Sequence, residues 1–445
     1  MKRLRKIFRG VGREGVIIIF IALAVQLGFS TLQPIIQYYI EALEDPSIPP
    51  PETRAGVRFT PDVIWYIAFN IAAFMILRSP SAAIFGRLSD KLGRKRLIVI
   101  GLFLYIVIGI LLAIARTALD VVIVRALQGI TSAMVWPVAE AMMMDKVDPS
   151  VRTRAMTLYV MSLNIGNLVG PGLGGLIYNT FYYIMKSSRA IDILRPTVLS
   201  QVPLFIIAFL LSLYLKESRY TEHMSRPLDM YTDGPHTVYI TTAENERIIK
   251  RSINVVFFSG AVNGFSIGII ASVLIVYISE YIVKEPIYIG GIQLFASLSG
   301  LAAAYPIASY TDRKWGKKNM FMFSMAIRSI ALLMIGLVTN IYGLLIGMAL
   351  ANISFNTGMP SIRAIQADLT KSYHRGKIFG YQQAMFNMGM GAGSIASAYL
   401  YIQYAHRLIA GVDGVVIIFL LASLLTLSAL IIAYRWLVDT RLVTI

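Results

Sequence analysis

Five charged residues interrupt stretches that are otherwise apolar: Arg78, Arg125, Glu140, Arg328 and Arg363. A charge at the centre of a bilayer costs at least about 2.5–3.5 kcal/mol if it faces lipid. Arg125 therefore has to face a protein interior and find polar partners, and Gln33 lies at a similar depth in its own stretch. Two roles are open to such an arginine. It orients a substrate or lowers the pKa of a nearby carboxylate, or it is a packing residue satisfied by backbone carbonyls. Glu140 is the only acid well inside these stretches; desolvation would raise its pKa and a nearby arginine would lower it.

Other chemistries are poorly served. The chain has no cysteine, and its four histidines (His223, His236, His374, His406) fall in or beside loops, so neither disulfides nor a metal cluster is expected. No glycine-rich phosphate loop ending in Lys-Ser or Lys-Thr occurs. The expectation is a protein that is not an enzyme and holds no cofactor.

The elements that carry these residues follow from composition. Hydrophobic residues make up 56% and charged residues 15% of the 445, with a mean hydropathy of +0.66, far above that of a water-soluble domain. A hydrocarbon core about 30 Å thick needs about 20 apolar residues per helix. Twelve stretches qualify, here called spans 1 to 12: 15–41, 61–85, 97–116, 118–144, 154–178, 196–216, 252–283, 288–310, 319–338, 341–368, 376–403 and 414–436. Their runs lack alternation, which predicts helices rather than a barrel. The first run, with its basic head and Ala22-Leu23-Ala24, looks like a signal peptide. It continues to Ile40, as a spanning helix would.

Lysines and arginines set the orientation. With charges at span ends assigned to the adjoining loop, the N-terminus, the loops after even-numbered spans and the C-terminus hold 29, the opposite loops 8, and the spans four. Both termini are expected in the cytoplasm. The net charge of +17 is scattered over one membrane face, so it reads as topology and contact with anionic lipid rather than nucleic-acid binding.

The second half restates the first. Asp90 maps to Asp312 at an offset of 222; one inserted residue then gives 223, at which Gly93 maps to Gly316, Pro137 to Pro360, Asp145 to Asp368, Arg152 to Arg375, Asn164 to Asn387, Gly166 to Gly389 and Gly170 to Gly393. Gly28-Phe29-Ser30 matches Gly264-Phe265-Ser266 at 236, the difference reflecting a longer loop after span 1. Two six-helix bundles are expected, 1–216 and 252–445, joined by a cytoplasmic linker at 217–251 with a short amphipathic segment near Ala243–Lys250.

Three motifs carry a family resemblance. The run Gly86-Arg-Leu-Ser-Asp90-Lys-Leu-Gly93-Arg94-Lys95-Arg96 resembles the signature loop between the second and third helices of major facilitator superfamily transporters, complete at every defined position. Arg125, Gln128 and Gly129 resemble that family's buried-arginine motif. Gly166, Gly170, Pro171, Gly174 and Gly175 match its glycine-proline helix, characteristic of antiporter members. Physically, small residues at four-residue spacing let another helix approach closely, and Pro171 removes a backbone hydrogen bond. The second half keeps weaker copies: Ser394, Ser397 and Ala398 replace Pro171, Gly174 and Gly175, and Met348 stands where Arg125 would map.

The resemblance implies that Asp90 caps the start of span 11 and that Arg94 pairs with Asp145, holding the bundles together when the cytoplasmic side is shut. Gly86 and Gly93 would allow close approach and a tight turn. Lys95, Asp312, Gly316, Lys317, Lys318 and Asp368 complete the motif and its copy. Glu140 and Arg363 are equivalent positions, each five residues inside the aspartate that ends its span, about 7.5 Å toward the membrane centre. Spans 4 and 10 face each other in this fold, so the two charges form a candidate gate pair; the alternative is that each bonds within its own half. Glu41 and Glu280 read as interfacial charges reaching water.

The combined expectation is an all-α, twelve-helix, multi-pass transporter of the cell membrane, acting as a monomer by alternating access on a small-molecule substrate. Candidate cavity residues are Gln33, Gln37, Arg125, Asn263, Asn352 and Asn356. Proton-coupled efflux of an amphipathic molecule is favoured, with uptake or exchange of a polar metabolite as the alternative and a non-transporting sensor as a third reading. Span 1 departs from the proton-coupled multidrug pattern, offering Gln26, Gln33 and Gln37 where such members often carry an acid.

Overall fold

The computed structural model describes residues 11–147, 152–217, 243–310, 316–369, 375–409 and 411–438. Twelve spanning helical elements account for nearly all of them. Span 1 is two helices, Gly12–Ser30 and Ile36–Glu44, separated by a turn at 31–35. Pro34 sits in that turn. It has no N–H to donate, and its ring would collide with the carbonyl four residues back.

Spans 2 to 5 are Pro61–Leu92, Arg94–Ala113, Ala118–Lys146 and Arg152–Met185. Span 6 is Ala190–Leu199 followed by Val202–Leu213. Span 7 runs Ala243–Ile269, passes through a π-helical turn at Ile270–Leu274 and ends as Ile275–Tyr281. Spans 8 to 12 are Pro286–Tyr310, Lys317–Leu337, Ile341–Asp368, Arg375–Tyr404 and Gly414–Trp436. A two-stranded ribbon, Leu408–Ile409 against Val412–Asp413, links the last two. Among the described residues, eleven helices are long and apolar enough to cross a membrane. Span 11 has the length, 30 residues, but is diluted by Gln382, Gln383 and Asn387.

Several helices outrun their apolar stretches. Spans 2 and 5 extend to Leu92 and Met185, and the expected amphipathic segment at Ala243–Lys250 is the first part of span 7. The remainder of the expected linker, from residue 218 to 242, lies outside the described residues.

The repeat is visible in how helices begin. Thr117 caps span 4, its side chain accepting from the Asp120 amide, and at the equivalent position Asn340 caps span 10 by accepting from Gly343. Gly93 and Gly316 precede spans 3 and 9 with φ of +97° and +78°, a backbone region that side chains with a Cβ resist.

Packing divides the chain into two compact units, Met1–Tyr220 with Leu274–Leu294, and Thr221–Val273 with Phe295–Ile445. The expected bundle boundary placed all of span 7 in the second half. Its last turns and the start of span 8 instead pack with the first unit, and the change falls at the π-helical turn.

In the first unit, Phe29, Tyr105 and Phe205 form an aromatic nest with centroids 5.0–5.6 Å apart. In the second, Val255, Phe321, Met325, Ile362 and Ala429 form an apolar core. Hydroxyl pairs stitch its helices: Ser266–Thr426 at 3.0 Å, Ser272–Ser397 at 2.8 Å and Ser329–Ser423 at 2.8 Å. Such pairs tie helices together where lipid offers no hydrophobic drive to associate.

Candidate functional site

The signature loop assembles as a charged knot at one end of the first unit. Arg94 Nη1 meets Asp145 Oδ2 at 2.5 Å and Nη2 reaches Asp90 at 3.6 Å. The positive φ of Gly93 turns the chain so that Arg94, the first residue of span 3, points at the end of span 4. Glu217, just after span 6, completes the knot. Its Oε1 accepts from the Lys95 amide at 3.0 Å, which satisfies a free N–H at the start of span 3, and its backbone carbonyl accepts from Lys146 at 2.9 Å. Sequence reading missed Glu217 because it belonged to the expected linker.

The second unit repeats the pair: Lys317 Nζ donates to both oxygens of Asp368, at 2.9 and 2.7 Å. Asp312 lies outside the described residues, as do residues 370–374 ahead of span 11, which Asp90 was expected to cap. Gly86 differs from expectation. It lies inside the span 2 helix with no heavy atom within 4 Å of where a Cβ would sit, so no close approach depends on it.

Arg125 takes a partner other than the expected Gln33. Its Nη1 donates to Gln128 Oε1 one turn along the same helix, and its guanidinium lies over the Phe74 ring at 4.9 Å. Gln33 falls in the turn that breaks span 1 and is exposed. Gly129 brings span 4 against span 2, since a Cβ there would collide with the Phe74 carbonyl.

The glycine-proline helix packs on two sides. A Cβ on Gly170 or Gly174 would collide with Ser30 or with the Thr31 carbonyl, so span 5 lies backbone to backbone against span 1 at its break. On its other side a Cβ on Gly175 would come within 2.8 Å of the Pro286 carbonyl, and Gly290 approaches the Pro171 carbonyl as closely. Gly166 sits over Gln26, whose amide donates to Asn167 at 2.7 Å.

The candidate polar residues separate into different settings. Gln37 is fully buried, its amide donating to the Pro34 carbonyl at 3.0 Å and reaching Ser279 at 3.4 Å. Asn352 and Asn356 are half-buried and donate to carbonyls of their own helix, at 3.1 and 3.0 Å. Asn263 is buried and accepts from Arg328 Nη1 at 2.8 Å. Glu140 and Arg363 are exposed within their units, and Glu140 acts electrostatically on Arg78 and Tyr159 of its own unit.

Glu41 does not reach water. It is 5% exposed, and Arg54 from the long loop after span 1 grips both carboxylate oxygens, at 2.9 and 2.8 Å. The same loop ties several elements of the first unit. The Phe59 amide donates to Glu280 at 2.7 Å, Tyr178 donates to Glu52 at 2.9 Å, the Ala190 amide donates to the Ile48 carbonyl at 2.9 Å, and Lys284 donates to the Arg54 carbonyl. Tyr38 in turn donates to the Lys284 carbonyl at 2.5 Å. Burial raises the pKa of Glu52, partly offset by its own backbone and by Tyr178.

Residues 18–242 and 256–443 match the Major Facilitator Superfamily. The chain is a Major Facilitator Superfamily transporter. It is 22% identical over 396 residues to the multidrug resistance protein MdtG of Proteus mirabilis, covering 88% of this chain and 90% of that one. It is also 22% identical over 382 residues to the staphyloferrin B transporter of Staphylococcus aureus, covering 85% and 83%. Two solved transporters share the fold: a bacterial homologue of the human lysosomal transporter Spinster, at TM-score 0.70, 10% identity and 95% coverage of both chains, and the nucleoside transporter NupG, at 0.68, 13%, and 95% and 100% coverage. As a member of this superfamily it is a multi-pass membrane protein that acts on small molecules.

Proposed function

We propose that this transporter exports an amphipathic small molecule across the cell membrane in exchange for protons, as a monomer with both termini in the cytoplasm. The observation that carries the reading is the end-to-end similarity to a multidrug resistance protein. The glycine-proline string of span 5, seated on span 1, supports an antiporter through the family resemblance. The excess of lysine and arginine on one side supports the orientation.

Glu140 is the proposed proton carrier, being an acid inside span 4 with Arg78 as a neighbouring positive charge. Arg78 also supports the alternative in which Glu140 is balanced within its own unit rather than by Arg363. Counterflow and net flux in proteoliposomes, with a panel of dyes, drugs and sugars and with and without an imposed pH gradient, test the reading. Gradient-driven dye movement supports it. Gradient-indifferent flux of a sugar or organic anion would replace it with metabolite exchange, and the lack of any flux would leave a membrane sensor.

A further inference from the structure

Each unit sets a guanidinium among neutral side chains inside a span, but the two come from different helices. In the first unit it is Arg125 of span 4. Span 10 has Met348 at the equivalent position, and the second unit's cation is Arg328 of span 9, where the first unit has Tyr105. Arg328 is 5% exposed. It lies about 16 Å along its helix, near the middle of a hydrocarbon core about 30 Å thick.

Among the described residues, everything that holds Arg328 is neutral. Nη1 donates to Asn263 Oδ1 at 2.8 Å, Nε donates to Ser354 Oγ at 3.3 Å, and the guanidinium stands 5.7 Å from the Phe355 ring. Among the described residues no carboxylate acts on it. Because a guanidinium only donates, the oxygen of Asn263 is turned toward it, and the amide N–H groups point elsewhere. The Ser354 hydroxyl is committed as well, donating to the Ser324 carbonyl at 2.6 Å. The result is a positively charged group, rich in donors and lacking an anion. A buried charge without a partner is costly, and ionisable groups inside a membrane mark substrate or ion pathways. The first unit shows a related imbalance: Arg125 Nε and Gln128 Nε2 are buried with no acceptor.

We infer that Arg328, Asn263 and Ser354 form an anion subsite, and that the transported molecule carries a carboxylate or similar anionic oxygen group beside its apolar body. The inference rests on the efflux reading above and narrows its substrate class.

The test uses the full-length protein in proteoliposomes with two dyes on a xanthene skeleton, anionic fluorescein and cationic rhodamine 123. The unaltered protein should carry fluorescein in preference. Arg328→Gln should lower the ratio of fluorescein to rhodamine apparent affinity about tenfold, as expected for loss of a charge-assisted contact; Arg328→Lys should keep part of the preference. Asn263→Asp serves as a second variant in case Arg328→Gln does not fold, because it gives the guanidinium a permanent carboxylate. It should lower the same ratio. Preference of the unaltered protein for rhodamine 123, or equal loss of both dyes in the folded variants, overturns the subsite and leaves efflux standing. Movement of neither dye overturns the efflux reading and this inference with it.

Discussion

Arg94 and Asp145 stand 2.5 Å apart, joining the first residue of span 3 to the end of span 4. At the equivalent positions in the second unit Lys317 and Asp368 stand 2.7 Å apart. The two pairs differ in burial. The Arg94 side chain is 10% exposed and that of Lys317 39%, so the same contact sits in drier surroundings in the first unit.

Asp145→Ala should therefore destabilise the protein by roughly 1–3 kcal/mol, because it strands a largely buried guanidinium. Asp368→Ala should cost about 0–1 kcal/mol, as exposed pairs do. Thermal melting of the purified protein distinguishes the two, and equal losses would show that burial does not set the difference.

Glycines from two of the motifs give opposite expectations. Gly174→Val should abolish transport and lower the melting temperature, since its side chain must displace the Thr31 backbone. Gly86→Ala should be tolerated and should stabilise span 2 by about 0.5–1 kcal/mol, because it faces open space in helical conformation. Transport assays and melting curves on both variants check the contrast.

Arg54→Ala should be the most damaging single change in the loop after span 1, at about 3–5 kcal/mol, because Glu41 is left buried without its counter-charge. Adding Glu41→Gln should recover most of the loss. If the double variant is no better than Arg54→Ala, the ion pair is not what holds the loop.

Glu52 gives that loop a pH dependence with a defined sign. Burial holds its folded pKa above the unfolded value, so its favourable contribution is full below the unfolded value, about 4.3, and is lost as pH rises through the folded one. Glu52→Gln, which keeps an acceptor for Tyr178, should flatten this dependence in melting curves taken across that range.

Glu140→Gln should abolish transport driven by a pH gradient while leaving counterflow intact. Gradient-driven flux at the unaltered rate would remove Glu140 from the coupling step.

Much of this architecture was legible in the sequence. Apolar stretches of about 20 residues have one low-energy fate in a bilayer, because a helix alone satisfies their backbone groups within the segment. The spans therefore matched the helices closely. The resemblance implied the Arg94–Asp145 contact and the 223-residue offset pointed to a second-half copy; in the structure Arg94–Asp145 and Lys317–Asp368 both rest on a helix start fixed by a glycine with positive φ.

Side-chain partners were less legible. Arg125 was matched to Gln33 by depth, yet depth says nothing of direction around a helix axis, and Pro34 breaks span 1 at that point. Glu41 looked like an interfacial charge because Arg54, thirteen residues on, belongs to a loop without periodicity to place it.

By itself the sequence determined the membrane class, the twelve helices and the internal repeat, because hydropathy and glycine spacing act locally along the chain, and its motifs carried the resemblance to the superfamily. Only the tertiary structure decided which buried charges find partners. It brought Glu217 to the start of span 3, buried Glu41 against Arg54, handed the last turns of span 7 to the first unit, and left Arg328 among neutral neighbours. Those outcomes depend on helix rotation and on contacts between residues far apart in the chain, and no local pattern encodes either.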